Sequence, residues 1–307
     1  MTLTDLRYLL ALGRERHFGR AAAACSVSQP TLSVALKKLE AQWGVTLFDR
    51  QPSAVVPTSL GAAVLAQATR VLEEAERLNA VARAGSDPFA APLRLGALFT
   101  VGPYLFPPLI AALRGRAPTL PLLVEEHFTA TLSERLWQGQ LDAIIVSEPF
   151  ERGTIRCWRL YEEPFVVALS PSHPWAAYDH IEPAFLEQEH ALLLSSGHCF
   201  RDQVLQYCPA LQRGRDSLHA TFEGSSLETI RYMVATGVGI AVLPLTAARA
   251  GAEAGLIIYR PLAGTPPVRR MVLAARDQFP YPTVLQLLRD TIRAHPPAGI
   301  AAPSSPG

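Results

Sequence analysis

Two cysteines stand close together in the segment that runs from Ser195 through Ser196, Gly197, His198, Cys199, Phe200, Arg201, Asp202 and Gln203 to Cys208. Gly197 ends the apolar run HALLLSS, which reads as a strand, and the residues after it read as a helix. Cys199 then falls in the first helical turn, where aligned peptide dipoles favour an anion. His198 and Arg201 are adjacent cationic or hydrogen-bonding candidates. A thiolate attacks a peroxide oxygen and becomes a sulfenic acid, which can condense with a second thiol. Nine helical steps separate Cys199 from Cys208, which is roughly 13 Å along the axis and opposite faces of the helix. A disulfide needs Cα atoms within about 7 Å, so joining this pair would require local unfolding. Two unrelated buried cysteines remain the plainer alternative on the residues alone.

Other chemistry is thinly represented. Cys25 and Cys157 read as packing residues, the usual role of a lone cysteine. His173, His180, His190 and His219 are scattered without metal-ligand spacing. Glu125 and Glu126 read as a charged strand end. No Walker loop or dinucleotide fingerprint occurs, so neither metal nor organic cofactor is expected.

The elements that must position these groups follow from periodicity. Residues 3–16 and 18–25 read as helices, the second rich in alanine and suited to close packing. Ser28 is a helix cap and Pro30 sits in the first turn of a third helix, whose Leu32, Leu36 and Leu39 face inward. Its other face carries Gln29, Thr31, Ser33, Lys37 and Lys38. TLFDR and AVVPT flank a polar turn at 51–53 and read as a small wing. A long helix runs from Thr58 to about Ala84. Val64, Ala68, Val71, Ala75, Leu78 and Ala82 form a heptad seam along it, which predicts pairing with another helix; packing on its own domain is the alternative. AGSDPFAAP then reads as a linker.

Beyond the linker strands and helices alternate, which predicts parallel α/β sheets in two subdomains with chain crossings. LRLGALF, LPLLVEEHF, LDAIIVSE, EPFVVALS, HALLLSS, LHATFEG, GIAVLP and RRMVLAARD read as strands. Helices follow Gly102 and Leu132 and cover LETIRYMVATG and TVLQLLRDTIRAH. The expected divisions are 1–58, a linker helix and hinge at 59–90, and a regulatory domain at 91–300. Within the last, one subdomain takes about 91–162 and 268–300 and the other about 163–267; 301–307 reads as a flexible tail.

Composition excludes little. The net charge of +1 points to no partner, although residues 1–58 carry seven Lys/Arg against four Asp/Glu, a mild basic bias. No apolar stretch approaches the roughly 18 residues of a membrane span. The start, MTLTDLRYLL, does not read as a secretory signal, so a cytoplasmic location is expected.

A short helix packed behind a third, polar-faced helix, with a wing beyond, is the layout of a DNA reader: one α-helix fits a major groove, and Gln, Thr and Ser at its start reach base edges. FGRAAAACSVSQPTLSVALKKLEAQWGVTLFDR closely resembles the N-terminal motif of LysR-type transcriptional regulators, through SQPTLS, KKLE and the G-V-x-L-F-x-R ending. The resemblance covers the whole chain. It implies a winged helix-turn-helix, a long linker helix and an α/β effector domain like a periplasmic binding protein. It implies Gln29, Pro30, Thr31, Ser33 and Lys37 at double-stranded promoter DNA, Arg50 on the wing, RNA polymerase as partner and a homotetramer. GHCFRDQ with Cys208 resembles the region used by peroxide-sensing members of that family, as do residues 224–244 and TVGPYLFP at 100–107. What that implies is Cys199 as the peroxidatic and Cys208 as the resolving cysteine. Thr100, Thr129, His198, Asp202 and Arg270 would surround hydrogen peroxide, with glutaredoxin or thioredoxin as reductant. The match is looser at 125–130 and at 209–220, the stretch that must rearrange. A family member gated by a small organic effector, or a thiol peroxidase, are the competing readings.

Overall fold

The computed structural model describes residues 1–50, 55–84, 87–151, 153–209, 211, 223–249 and 255–300. Two compact units are present, Met1–Gly85 and Ser86–Gly307.

The first unit opens with α1 (Leu3–Glu15), started by a capping box in which Thr2 Oγ1 accepts from Asp5 N–H and Asp5 accepts from Thr2 N–H. α2 (Phe18–Ala24) and α3 (Gln29–Trp43) follow. Ser28 Oγ caps α3 at Thr31 N–H, and Gly44 ends it at φ 68°, a left-handed turn that suits glycine. Leu6, Leu9, Leu12, Ala21, Leu32, Leu36 and Leu39 bury together with Leu47. The wing strands β1 (Phe48–Arg50) and β2 (Val55–Pro57) pair antiparallel; the expected turn at 51–53 lies outside the described residues. Glu40 on α3 accepts from Leu47 N–H at 2.7 Å and so ties the wing to the polar-faced helix.

α4 (Ser59–Ala84) is capped by Thr58, whose hydroxyl accepts from Gly61 N–H. The heptad seam divides along it. Val64, Ala68 and Val71 pack on the unit's own core, whereas Leu78 is 71 % exposed and Ala82 is exposed as well. Own-domain packing thus claims the first half of the seam only.

The second unit is built on one mixed sheet. β3 (Leu93–Leu98), β4 (Leu122–His127) and β5 (Ala143–Ser147) are parallel, with α5 (Gly102–Arg116) and α6 (Thr129–Trp137) as crossovers. β6 (Ile155–Leu169) follows, and after it β7 (Leu193–Leu194), α7 (Cys199–Tyr207), β8 (Glu223–Gly224) and α8 (Leu227–Ala235). β9 (Ala241–Pro244), α9 (Leu245–Arg249), β10 (Ile258–Pro261), β11 (Val268–Arg276) and α10 (Pro282–Ala294) complete the order. The strands lie β10-β6-β11-β5-β3-β4, with β9 also on β6. β11 is antiparallel to both β5 and β6, and β9 and β10 are antiparallel to β6, so among the described strands the expected parallel pairing holds for β3 with β4 and β5 and for β7 with β8 only.

Two hydrophobic cores share the long strand β6. Leu160 and Tyr161 join the core of β3, β5, β11 and α10; Phe165 to Leu169 join the core of β7, α7, α8 and β9. Only the apolar second half of β6 was expected as a strand. Its first half, with Arg156, Arg159 and Glu162, lacks an apolar alternation and is held by β11 instead. β10 was missed for the same reason. Most of LHATFEG lies outside the described residues, apart from β8.

A glycine is required where α4 meets the wing: a Cβ at Gly61 would stand 2.0 Å from the Leu47 carbonyl oxygen. Gly61→Ala should lower the stability of the first unit by about 2–3 kcal/mol, read as a lower thermal midpoint by circular dichroism. An unchanged midpoint would contradict this packing.

Candidate redox site and nucleic-acid interface

The carboxyl ends of parallel strands leave a crevice where α/β proteins place ligands. Here β3, β4 and β5 end at Leu98, His127 and Ser147 and deliver Phe99–Thr100, Phe128–Thr129 and Ser147–Glu148 to one edge. The amino end of α7 meets that edge. Gly197, at φ 98°, makes the turn into the helix, His198 is the cap residue and Cys199 is the first helical residue.

Cys199 Sγ lies 3.6 Å from Ser147 Oγ, within reach of a thiol hydrogen bond. Gln203, one turn on, donates Nε2–H to Ser147 Oγ at 3.1 Å and lies 3.5 Å from the Glu148 carbonyl oxygen, which can only accept. Because the Ser147 oxygen already receives a proton from Gln203, its own O–H is free to point at the sulfur. Ser147 and Gln203 were missed from the sequence: serine at a strand end is too common to signal chemistry until the fold sets it beside a thiol.

Thr100 is buried. Its Oγ1 and carbonyl oxygen accept from Nη1 and Nη2 of Arg269, each at 2.9 Å. Arg269 Nε donates to Glu163 Oε2 at 2.7 Å, and Glu163 Oε1 accepts from the Thr246 N–H and hydroxyl. The Arg269 guanidinium also stands 5.1 Å from the Phe200 ring centroid. The expected Arg270 is elsewhere: it is exposed and paired with Glu162 at 2.9 Å, a pairing that holds its pKa up. Successive residues of β11 face opposite sides of the sheet, so Arg269 turns inward to Thr100 and Glu163 while Arg270 faces outward.

Thr129 Oγ1 is buried without a hydrogen-bond partner among the described residues. His198 is buried at 5 % exposure. Burial pulls its pKa below the ordinary histidine value, against a smaller opposing effect of a backbone hydrogen bond with Ser225. It is therefore a neutral hydrogen-bonding ring near pH 7, not the cation that the sequence allowed. Arg201 is buried too and donates to the Leu194 carbonyl oxygen, which fastens α7 to β7. Asp202 is exposed on α7.

Cys208 is the C-terminal cap of α7, buried in the second core with Phe200, Val204 and Leu211, while Cys199 packs against the first. None of the four cysteines, all of them described residues, forms a disulfide. Cys25 packs on the core of the first unit. Cys157 is not the expected packing residue: it is exposed on β6. Partial desolvation, and then the charges of Glu148 and Glu151, raise its thiol pKa.

On the first unit Gln29, Pro30, Thr31 and Lys37 are exposed along α3, and Ser33 is half-buried. Thr31 Oγ1 is engaged with Ser28 Oγ at 2.7 Å. Val34, which the polar reading of this face passed over, is also exposed; such a side chain suits a thymine methyl. The Arg50 backbone ends β1, and its side chain lies outside the described residues.

Two family models match: the bacterial regulatory helix-turn-helix protein, lysR family, over residues 3–62, and the LysR substrate binding domain over residues 86–297. The chain is 38 % identical over 295 residues to the "hydrogen peroxide-inducible genes activator" of Pectobacterium carotovorum, covering 96 % of this chain and 97 % of that one. It is 37 % identical to the "DNA-binding transcriptional dual regulator OxyR" of Escherichia coli K12, covering 96 % and 95 %. Among solved structures, a full-length OxyR variant from Pseudomonas aeruginosa matches with TM-score 0.71 and 48 % identity, over 95 % of this chain and 98 % of that one. A reduced OxyR from N. meningitidis matches with TM-score 0.65 and 42 % identity, over 68 % and 98 %.

Removing the Ser147 hydroxyl should slow alkylation of Cys199 by about tenfold, the value of one hydrogen bond to a charged group. Time-resolved mass spectrometry of Ser147→Ala checks this; an unchanged rate would break the proposed contact. The buried His198 sets a pH dependence as well. Its folded pKa lies below the unfolded value near 6.5, so between the two the unfolded chain binds more protons. Stability from this residue is complete above about pH 7 and is lost as pH falls through the lowered folded value. Denaturant titrations from about pH 7 to 5 should show that fall, and His198→Asn should flatten it.

Proposed function

This chain belongs to the LysR family of bacterial transcriptional regulators, and from that premise we propose that it is a regulator switched by hydrogen peroxide through Cys199 and Cys208. The observation that carries the reading is the position of α7: one end holds a thiol in a hydrogen-bonded crevice, and the other holds a second thiol in a different core.

In this reading Cys199 reacts as the thiolate, the nucleophilic form of the side chain, with the Ser147 hydroxyl 3.6 Å from its sulfur. The sulfur attacks one peroxide oxygen, the O–O bond breaks, and a sulfenic acid and hydroxide result; the hydroxide takes a proton and leaves as water. The Thr100 and Thr129 hydroxyls and neutral His198 hold the peroxide and donate to the departing oxygen. Cys208 then attacks the sulfenic sulfur, expels a second water and closes a disulfide.

That last step cannot happen with α7 intact. Its nine residues put the two thiols roughly 13 Å apart along the axis, against the 7 Å or less that a disulfide allows. Closing the bond must unwind α7 and withdraw Phe200 and Cys208 from the second core. Exposing one phenylalanine costs about 1.5–3 kcal/mol, so the reduced packing resists the change and oxidation overcomes it. The residues around 209–220 that would follow lie mostly outside the described residues.

The first unit reads promoter DNA through Gln29, Pro30, Thr31, Ser33 and Lys37 on α3, with Arg50 at the wing. The exposed second half of the α4 seam joins another copy, and a homotetramer changes its spacing on DNA and its contact with RNA polymerase when the disulfide forms. Peroxide is consumed once per switch, without enzymatic turnover, in the cytoplasm. Glutaredoxin or thioredoxin resets the thiols.

Mild peroxide treatment of the full chain should yield a Cys199–Cys208 cross-linked peptide by mass spectrometry and shift its promoter footprint; Cys199→Ser should do neither. A footprint that moves with peroxide in the variant, or responds only to a small organic effector, would replace this reading with a ligand-gated one.

A further inference from the structure

The carboxyl ends of β3 and β4 carry a feature that hydrogen peroxide itself does not need. Phe99, Phe128 and His198 meet edge to face. Their ring centroids are 5.2 Å apart for Phe99–Phe128, 4.8 Å for Phe128–His198 and 6.1 Å for Phe99–His198. Each ring immediately precedes a residue of the site: Phe99 precedes Thr100, Phe128 precedes Thr129, and His198 precedes Cys199. Core packing does not account for the two phenylalanines. They keep 38 % and 37 % of their surface exposed and belong to neither hydrophobic core of the unit. Phe128 also covers the turn into α7, since a Cβ at Gly197 would lie 3.5 Å from its ring.

Strand order sets the scale. β5, β3 and β4 are successive neighbours at about 4.8 Å spacing. The thiol is held at the β5 end by Ser147, and Phe128 follows β4, two such spacings across the sheet. Thr100 follows the strand between them. A molecule with a peroxide group at one end and an apolar group at the other spans that distance. Hydrogen peroxide, small and polar at both ends, gains nothing from exposed aromatic faces.

We propose that Phe99 and Phe128 form an apolar collar that takes the organic group of an alkyl or aryl hydroperoxide, so that the same thiol responds to organic hydroperoxides. The proposal rests on Cys199 being the peroxide-reactive thiol. The thiolate attacks the terminal hydroxyl oxygen and the O–O bond breaks. The hydroxyl stays on sulfur as the sulfenic acid, and the alkoxide takes a proton from solvent and leaves as the alcohol. Sulfur loses two electrons and the hydroperoxide gains them.

The test uses the reduced full-length chain and traps the Cys199 sulfenic acid with dimedone, read by mass spectrometry against time. Cumene hydroperoxide and hydrogen peroxide are supplied in separate reactions, and the quantity read is the ratio of their rates. Covering about 50 Å² of apolar surface in the transition state is worth about tenfold. The ratio should therefore fall about tenfold in Phe128→Ser and in Phe99→Ser, and Phe128→Leu, which keeps apolar bulk, should restore most of it. The hydrogen peroxide rate in each variant shows whether the site is still formed. A ratio unchanged by either serine variant, or a native chain that reacts with hydrogen peroxide and not with cumene hydroperoxide, would overturn the collar. Failure of Cys199 to react with both oxidants in the native chain would instead overturn the peroxide reading, and the collar with it.

Discussion

The second unit is organised around one buried ion pair. Arg269 and Glu163 have side chains at 1 % and 0 % exposure, and their 2.7 Å contact joins β11 to β6 where the two cores meet. Charges removed from water are tolerated only when every donor and acceptor is satisfied. The surrounding chain meets that demand: Thr100 takes both terminal nitrogens of the arginine, Thr246 serves the second carboxylate oxygen, and Phe200 lies under the guanidinium. In doing so it gathers the end of β3, the start of α9 and the first turn of α7 at one point. Removing either charge alone would strand the other and cost about 3–5 kcal/mol.

Because Phe200 belongs to this cluster, the position of Cys199 follows from it. The thiol is one residue away, at the start of a helix whose next turn is anchored by Gln203 to the end of β5 and by Arg201 to the end of β7. α7 is thus held at its amino end by hydrogen bonds and at its carboxyl end by burial of Cys208. Such an element has no gentle route between states. It is either packed in both cores or withdrawn from one of them, which is the behaviour a two-state device needs.

The DNA-reading unit follows the same economy of contacts. Glu40 and Thr58 are the polar residues that fix the wing against α3 and α4, and each does so through backbone groups that would otherwise end unsatisfied. The exposed row of α3 is left to short polar side chains, Lys37 and Val34, a mixture suited to base edges and methyl groups.

Local sequence was sufficient for whatever depends on local periodicity or local chemistry. The cap at Ser28 follows from such neighbours in sequence, and the Leu32-Leu36-Leu39 face, the short parallel strands and the placement of Cys199 in a first turn could be read directly. Family motifs added the overall architecture. Tertiary structure alone decided what depends on distant neighbours. It buried Arg269 and left Arg270 exposed, because β11 is set between β5 and β6 and its successive residues face opposite sides. It made His198 neutral, because burial comes from Phe99 and Phe128, far away in sequence. It brought Ser147 to the thiol across 52 positions. It also made a strand of 155–162, whose charged residues gain a ladder only when β11 returns beside them.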